Sequence, residues 1–123
     1  MNQTDADLFE RAVAVAARAY APYSRFNVGA AVLARDGRVF EGVNVENAAY
    51  PLGVCAERSA LVRAVGEGCR PGELEAIAVT ASPCGGCRQW LAEFRLERVT
   101  YRDGAGEVVT RSPAELLPDT FVL

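Results

Sequence analysis

Two short segments, Cys55-Ala56-Glu57-Arg58 and Pro83-Cys84-Gly85-Gly86-Cys87, constrain this chain more than anything else in it. Their three thiols act together only if folding brings both segments to one place. Zinc held by three protein ligands keeps a fourth position for water and lowers that water's pKa to about 7. Glu57, next to the first thiol, is a carboxylate able to take and return a proton. The pattern therefore predicts one Zn²⁺ per subunit on Cys55, Cys84 and Cys87, with Glu57 as the catalytic proton carrier.

Other readings of the cysteines remain open at this point. A Cys-x-x-Cys pair alone also fits a redox couple or half of a structural zinc site, although a redox couple needs neither Cys55 nor Glu57. A closed structural site would recruit Cys69 as a fourth ligand. Cys69 stands in Gly66-Glu67-Gly68-Cys69-Arg70-Pro71, roughly one helix beyond Cys55, and reads most simply as a packed free thiol. The chain contains no His, which excludes Ser-His-Asp and Cys-His catalysis and every imidazole metal site.

Hydrophobic spacing places these motifs on elements. Thr4 to Asp7 resembles a capping box, and Leu8, Ala12, Val15 and Ala19 recur at helical spacing, so a first helix is expected to run to about Tyr20, before Pro22. Val28–Leu33 and Val39–Val45 flank Asp36-Gly37, a hairpin signal. A second helix starts near Cys55 and ends before Gly66. Leu74–Thr80 alternates like a strand, with Ile77 and Val79 on one face. Cys87, Trp90, Leu91 and Phe94 form the stripe of a third helix. Val99–Tyr101 and Glu107–Val109 are short strands around Asp103-Gly104, and Ser112-Pro113-Ala114-Glu115 starts a last helix with Ser as cap and Pro in the first turn. The order predicts a single α/β domain over residues 1–123, a mixed sheet with helices on both faces.

Both thiol motifs then fall at helix N-termini. Residues i and i+2 on a helix do not face one another, so Cys55 and Glu57 flank one ion only if it lies beyond the helix end. Three thiolates on Zn²⁺ leave a net charge of −1, which would raise the pKa of a bound water. Two helix N-termini offset this, each equivalent to about half a positive charge. Arg58, three residues from Cys55 and on its face, is expected to donate hydrogen bonds to sulfur and offset more.

The formal charge of −3 comes from interspersed acidic and basic residues without the basic stripe of a polyphosphate binder. A small neutral substrate fits better than nucleic acid. No apolar run approaches the roughly 20 residues of a membrane span, and the N-terminus lacks a secretory pattern. The expectation is a cytoplasmic protein with no membrane partner.

The zinc motifs resemble those of the zinc-dependent deaminases, in a three-cysteine form. The likeness extends to Ala21-Pro22-Tyr23-Ser24-x-Phe26-x-Val28-Gly29-Ala30, Gly42-x-Asn44-Val45-Glu46-Asn47-Ala48-x-Tyr50, Cys87-Arg88-Gln89 and Leu116-Leu117-Pro118-x-x-Phe121. Together these are similar to the small homotetrameric cytidine deaminases, from about Tyr20 to Phe121. The resemblance implies a three-layer α/β/α sandwich on a five-stranded mixed sheet, a homotetramer with shared active sites, and hydrolytic deamination of cytidine and 2′-deoxycytidine. It implies that Asn44 and Glu46 hydrogen-bond the ribose and that Phe26 packs beside the pyrimidine. By the same resemblance the backbone of Ala56 contacts the base, while Tyr50 and Phe121 complete a neighbouring subunit's site. Gly86 departs from the usual Ala, and Trp90 from a smaller apolar residue. Deaminases of other free cytosine compounds, such as blasticidin S, look similar around zinc but lack the full ribose and C-terminal pattern.

Overall fold

The computed structural model describes residues 1–123. Its centre is a five-stranded sheet of order β2-β1-β3-β4-β5, built from β1 (Gly29–Ala34), β2 (Val39–Val43), β3 (Leu74–Val79), β4 (Arg98–Arg102) and β5 (Val108–Arg111). Only β3 and β4 run parallel, and the chain crosses between them through helix α3 (Gly85–Glu93). The other pairs are antiparallel. The β1–β2 hairpin turns at Asp36-Gly37, where Gly37 takes φ +96°, a conformation that favours a residue without Cβ.

Helices cover both faces of this sheet. Leu74, Ile77 and Val79 of β3 pack in one core with Ala60, Leu61 and Ala64 of α2 (Ala56–Gly66) and with Leu91 of α3. Ala76 and Ala78 point the other way and pack with Leu8, Phe9 and Ala12 of α1 (Gln3–Val15). Strand β3 is thus apolar on both sides, as a central strand between two helical layers must be. Leu74 shares a face with Ile77 because the register between β1 and β3 shifts past Leu33. A short α4 (Pro113–Leu116) follows β5 with the expected cap: Ser112 and Glu115 form a capping box and Pro113 opens the helix.

Two glycines in paired strands set how closely the helices approach. A Cβ at Gly29 would lie 2.0 Å from the Ala12 carbonyl oxygen of α1, and one at Gly42 would lie 2.3 Å from the Ala60 nitrogen of α2. Both clashes are with backbone, which cannot give way cheaply. The bare glycines therefore allow both helices to lie directly on β1 and β2.

Some boundaries differ from the sequence expectation. The first helix is capped by Asn2, whose side chain accepts from the Asp5 N–H at 2.7 Å; Thr4 to Asp7 forms no capping box, and Asp7 takes the Gln3 amide instead. The helix ends at Val15 and passes through a 3-10 turn at Ala16–Arg18, short of Tyr20. The reason is competition for Tyr20's backbone, which donates to the Asn44 carbonyl and accepts from the Glu46 N–H. Strand β2 likewise stops at Val43; Val45 makes isolated bridges to Tyr20 and Val54. β4 extends by one residue at each end, and β5 starts one residue later and ends two later than expected.

Asp5, only 2 % exposed, ties α1 to β4. Its carboxylate accepts from Arg98 Nε through both oxygens, and Arg98 also reaches Glu75 at 2.7 Å. Removing one partner of a buried pair costs about 3–5 kcal/mol when the other charge is orphaned. Arg98 keeps Glu75, so Asp5→Ala is expected to cost less, about 2–3 kcal/mol by the same scale. Urea denaturation reads this as a lowered midpoint at unchanged slope; a midpoint equal to wild type would show that the pair contributes nothing.

Candidate active site

The N-termini of α2 and α3 converge. Cys55 is the N-cap of α2 and Cys84 the N-cap of α3, both with extended backbone. Cys87 lies in the first turn of α3 and donates its N–H to Cys84 Sγ at 3.5 Å. The sulfurs of Cys55, Cys84 and Cys87 all lie within 4.8 Å of one another. Tetrahedral Zn–S bonds of about 2.3 Å put sulfurs about 3.8 Å apart, so the cluster needs only slight contraction to hold the ion. Cys87 is fully buried and Cys84 exposed, which leaves one side of the cluster open.

The chemistry of the donors fits a cation as well. For the free thiols, burial pushes Cys87 far up from its ordinary value, and the neighbouring Glu57 and Cys55 charges add to that. Cys55 is also raised, chiefly by burial. Burial opposes ionisation of Cys84 too, but the Cys87 N–H and the neighbouring thiols outweigh it and hold Cys84 below the usual thiol range. Three thiolates this close repel, and a coordinated cation is what deprotonates such a set together.

Cys69 is not among them. It is buried just past the C-terminal end of α2, and an eleven-residue helix separates it from Cys55 by about 16 Å. That distance removes it as a fourth ligand and with it the closed four-cysteine site.

Glu57 sits in the first turn of α2 and is 4 % exposed. Burial pushes its carboxyl above the ordinary range, against the opposing pull of its own backbone N–H, Cys87 and Arg58. A carboxyl so placed can hold a proton as well as release one. Arg58 stands beside the sulfurs. Burial disfavours its charge, but Cys87, Cys55 and Cys84 outweigh this and raise its pKa. Its Nε is buried without a hydrogen-bond partner, while a side-chain hydrogen bond to Cys87 adds to the thiol charges in raising the guanidinium pKa. Gly86 makes room for it: a Cβ there would lie 2.2 Å from Arg58 Nη2.

A cavity of about 510 Å³ adjoins the cluster, with Asn44, Glu46, Tyr50 and Cys55 in its wall together with Tyr23 and Ser24. Asn44 and Glu46 are both engaged by the preceding loop. Asn44 accepts from the Val28 N–H at 2.8 Å and donates to the Phe26 carbonyl at 2.9 Å. Glu46 accepts from the Tyr23 and Ser24 N–H groups at 2.9 and 3.1 Å and from the Ser24 hydroxyl. The Ser24 hydroxyl and N–H, and then the Tyr23 N–H, hold the Glu46 carboxyl below its ordinary range against burial. Of the about four acceptor sites on a carboxylate, one remains open; Asn44 likewise keeps one N–H. Both residues line the cavity with their polar ends already fixed by the loop.

The structure does not bring every expected residue into one chain's cavity. Ala56 is buried in the first turn of α2; Tyr50, in the cavity wall, is 90 % exposed, and Phe26 and Phe121 are exposed and outside that wall. Phe121 belongs to neither core cluster. Sequence reasoning gave Tyr23, Ser24 and Gln89 no role. The first two hold Glu46, and Gln89 donates to the Phe121 carbonyl at 3.1 Å. The turn residues at Pro22-Tyr23-Ser24 were the available signal for the first pair; nothing local announces the third. No helix is long and apolar enough to cross a membrane.

Residues 2–103 match the family model of the cytidine and deoxycytidylate deaminase zinc-binding region. A cytidine deaminase of Halalkalibacterium halodurans is 44 % identical over 122 residues, covering 93 % of this chain and 91 % of its relative. One from Sporosarcina psychrophila is 45 % identical over 112 residues, covering 85 % and 81 %. The crystal structure of cytidine deaminase from Burkholderia pseudomallei superposes with a TM-score of 0.88 at 46 % identity, over 98 % of this chain and all of that one. Cytidine deaminase from Mycobacterium tuberculosis gives 0.82 at 40 % identity, over 96 % and 97 %.

Proposed function

The chain belongs to the cytidine and deoxycytidylate deaminase family, and on that premise we propose that it converts cytidine and 2′-deoxycytidine, with water, to uridine and 2′-deoxyuridine and ammonia. The observation that carries this reading is the three-sulfur cluster with buried Glu57 beside it, opening on a cavity of nucleoside size. Cys55, Cys84 and Cys87 hold zinc, which supplies a Lewis acid and a water with pKa near 7.

The remaining chemistry belongs to the chain. Glu57 takes a proton from the attacking water and hands it to ring nitrogen N3 as oxygen bonds to C4. It then carries the second proton from that oxygen to the exocyclic amine. The C4–N bond breaks, ammonia leaves and the C4 carbonyl forms. Both transfers need one carboxyl within reach of both atoms, and burial keeps bulk water from competing for its proton. The Arg58 charge and the α2 and α3 N-termini offset the thiolates.

Asn44 and Glu46 hold the ribose hydroxyls with the donor and acceptor that the loop leaves free, and the Ala56 backbone meets the base. Phe26, Tyr50 and Phe121, all exposed in the single chain, are covered by neighbouring copies in a homotetramer whose sites are shared. Residues 1–123 act as one catalytic domain.

An ultraviolet assay of cytidine loss, run beside free cytosine and blasticidin S, tests the substrate. Cytidine and deoxycytidine are expected to be consumed and the other two spared; turnover of blasticidin S with cytidine untouched would overturn the reading. Glu46→Ala removes a hydroxyl acceptor and frees the Tyr23–Ser24 turn. Its expected cost in kcat/KM for cytidine is at least the roughly 10²-fold that misplacement by 1 Å carries. An unchanged kcat/KM would remove Glu46 from the ribose.

A further inference from the structure

We propose that Gln89 is a positioning residue that fixes Phe121 for the neighbouring subunit's site, coupling the zinc-bearing helix α3 to the C-terminal arm. The inference rests on the reading of Phe121 as a residue that completes a neighbouring subunit's site, where its ring would stack on the base, and adds what holds it in place.

The end of the chain has little apolar packing. Phe121, Val122 and Leu123 are 68 %, 75 % and 113 % exposed, and terminal residues not tied down are ordinarily poorly ordered. This terminus is instead held by polar contacts. Arg88 Nη1 donates to the Leu116 carbonyl at 3.0 Å, at the end of α4. Asp119 turns the chain with a left-handed φ of 54°, and the Thr120 hydroxyl closes that turn on the Leu117 carbonyl. Beyond the turn, Gln89 Nε2 donates to the Phe121 carbonyl. This is the last bond that fixes the arm before its end.

Its origin gives the bond its consequence. Arg88 and Gln89 directly follow Cys87, on the helix capped by Cys84. Arg88 also grips that helix's own entry, donating from Nε to the Pro83 carbonyl at 2.8 Å and from Nη2 to Ser82 Oγ at 3.2 Å. One short helix thus sets the position of two sulfurs at its start and of the Phe121 backbone further on. A bond that fixes an exposed aromatic buries almost nothing for its own chain. What it provides is preorganisation, lowering the ordering cost when the ring meets a partner surface.

The test compares Gln89→Glu, which keeps the shape but offers no amide donor, with Gln89→Lys, which keeps a donor at similar reach. Both are measured in the zinc-loaded full chain alongside Phe121→Ala and the Phe121→Ala/Gln89→Glu double variant. Base–aromatic stacking changes binding by about 10- to 100-fold, so Phe121→Ala is expected to raise the cytidine KM within that range. Gln89→Glu should raise KM by a part of that, about 5- to 10-fold on the same scale, with kcat and zinc content kept. Gln89→Lys should restore most of the loss, and Gln89→Glu should add nothing once Phe121 is gone. Three outcomes overturn the inference alone: a wild-type KM in Gln89→Glu while Phe121→Ala is impaired, a full Gln89→Glu effect in the double variant, or lost zinc. An unaffected Phe121→Ala overturns the stacking role itself and the inference with it.

Discussion

Glu57→Gln, with its zinc in place, is expected to deaminate cytidine about 10²- to 10⁴-fold more slowly than wild type, the range that a positioned acid–base group supplies. Glutamine has the size of glutamate, so packing in the first turn of α2 is preserved, and the amide cannot carry a proton between water, N3 and the amine. The loss should sit at the upper end of that range because Glu57 is 4 % exposed and solvent cannot substitute for it. It should appear in kcat rather than KM, since the proton is moved only after cytidine is bound. Zinc content should be unchanged, because the ligands are Cys55, Cys84 and Cys87. Turnover within a few-fold of wild type would place the proton carrier elsewhere, and the only other buried carboxylate, Asp5, is paired with Arg98.

The sequence made local features legible and left long-range ones hidden. Asp36-Gly37 and Ser112-Pro113 were readable because turn and cap chemistry lie within four residues. The convergence of Cys55 with Cys84 and Cys87 followed from donor chemistry, since isolated thiols have no reason to share a spacing with Glu57. The early end of α1 was not readable: Tyr20 is drawn away by Asn44 and Glu46, partners more than twenty residues distant. The engagement of Glu46 by Tyr23 and Ser24, and of Phe121 by Gln89 thirty-two residues earlier, are likewise contacts that no periodicity encodes. Arg58 shows the limit from the other side. Helical spacing put it beside Cys55, but only the structure shows that the missing side chain at Gly86 gives it space.

Stripping zinc with a chelator should abolish deamination and also destabilise the protein, and readdition of zinc should restore both. The two effects have one cause. An ion that binds only the folded state adds RT ln(1 + [L]/Kd), about 4 kcal/mol at a thousandfold excess over Kd, and here it joins the starts of two helices from separate parts of the chain. Cys87→Ser should behave as the stripped protein does, because Cys87 is the fully buried ligand and no other donor can move into its place. Its affinity for zinc should fall by more than the roughly 10- to 100-fold that loss of an outer-shell partner costs. Cys69→Ser separates this open site from a closed four-cysteine one. Lying beyond the far end of α2, about 16 Å from Cys55 by helix rise, Cys69 should be replaceable with zinc and activity intact. Loss of metal in Cys69→Ser, or full turnover after complete chelation, would contradict the three-ligand site; in the first case the ion would have to be held where the fold brings no fourth sulfur.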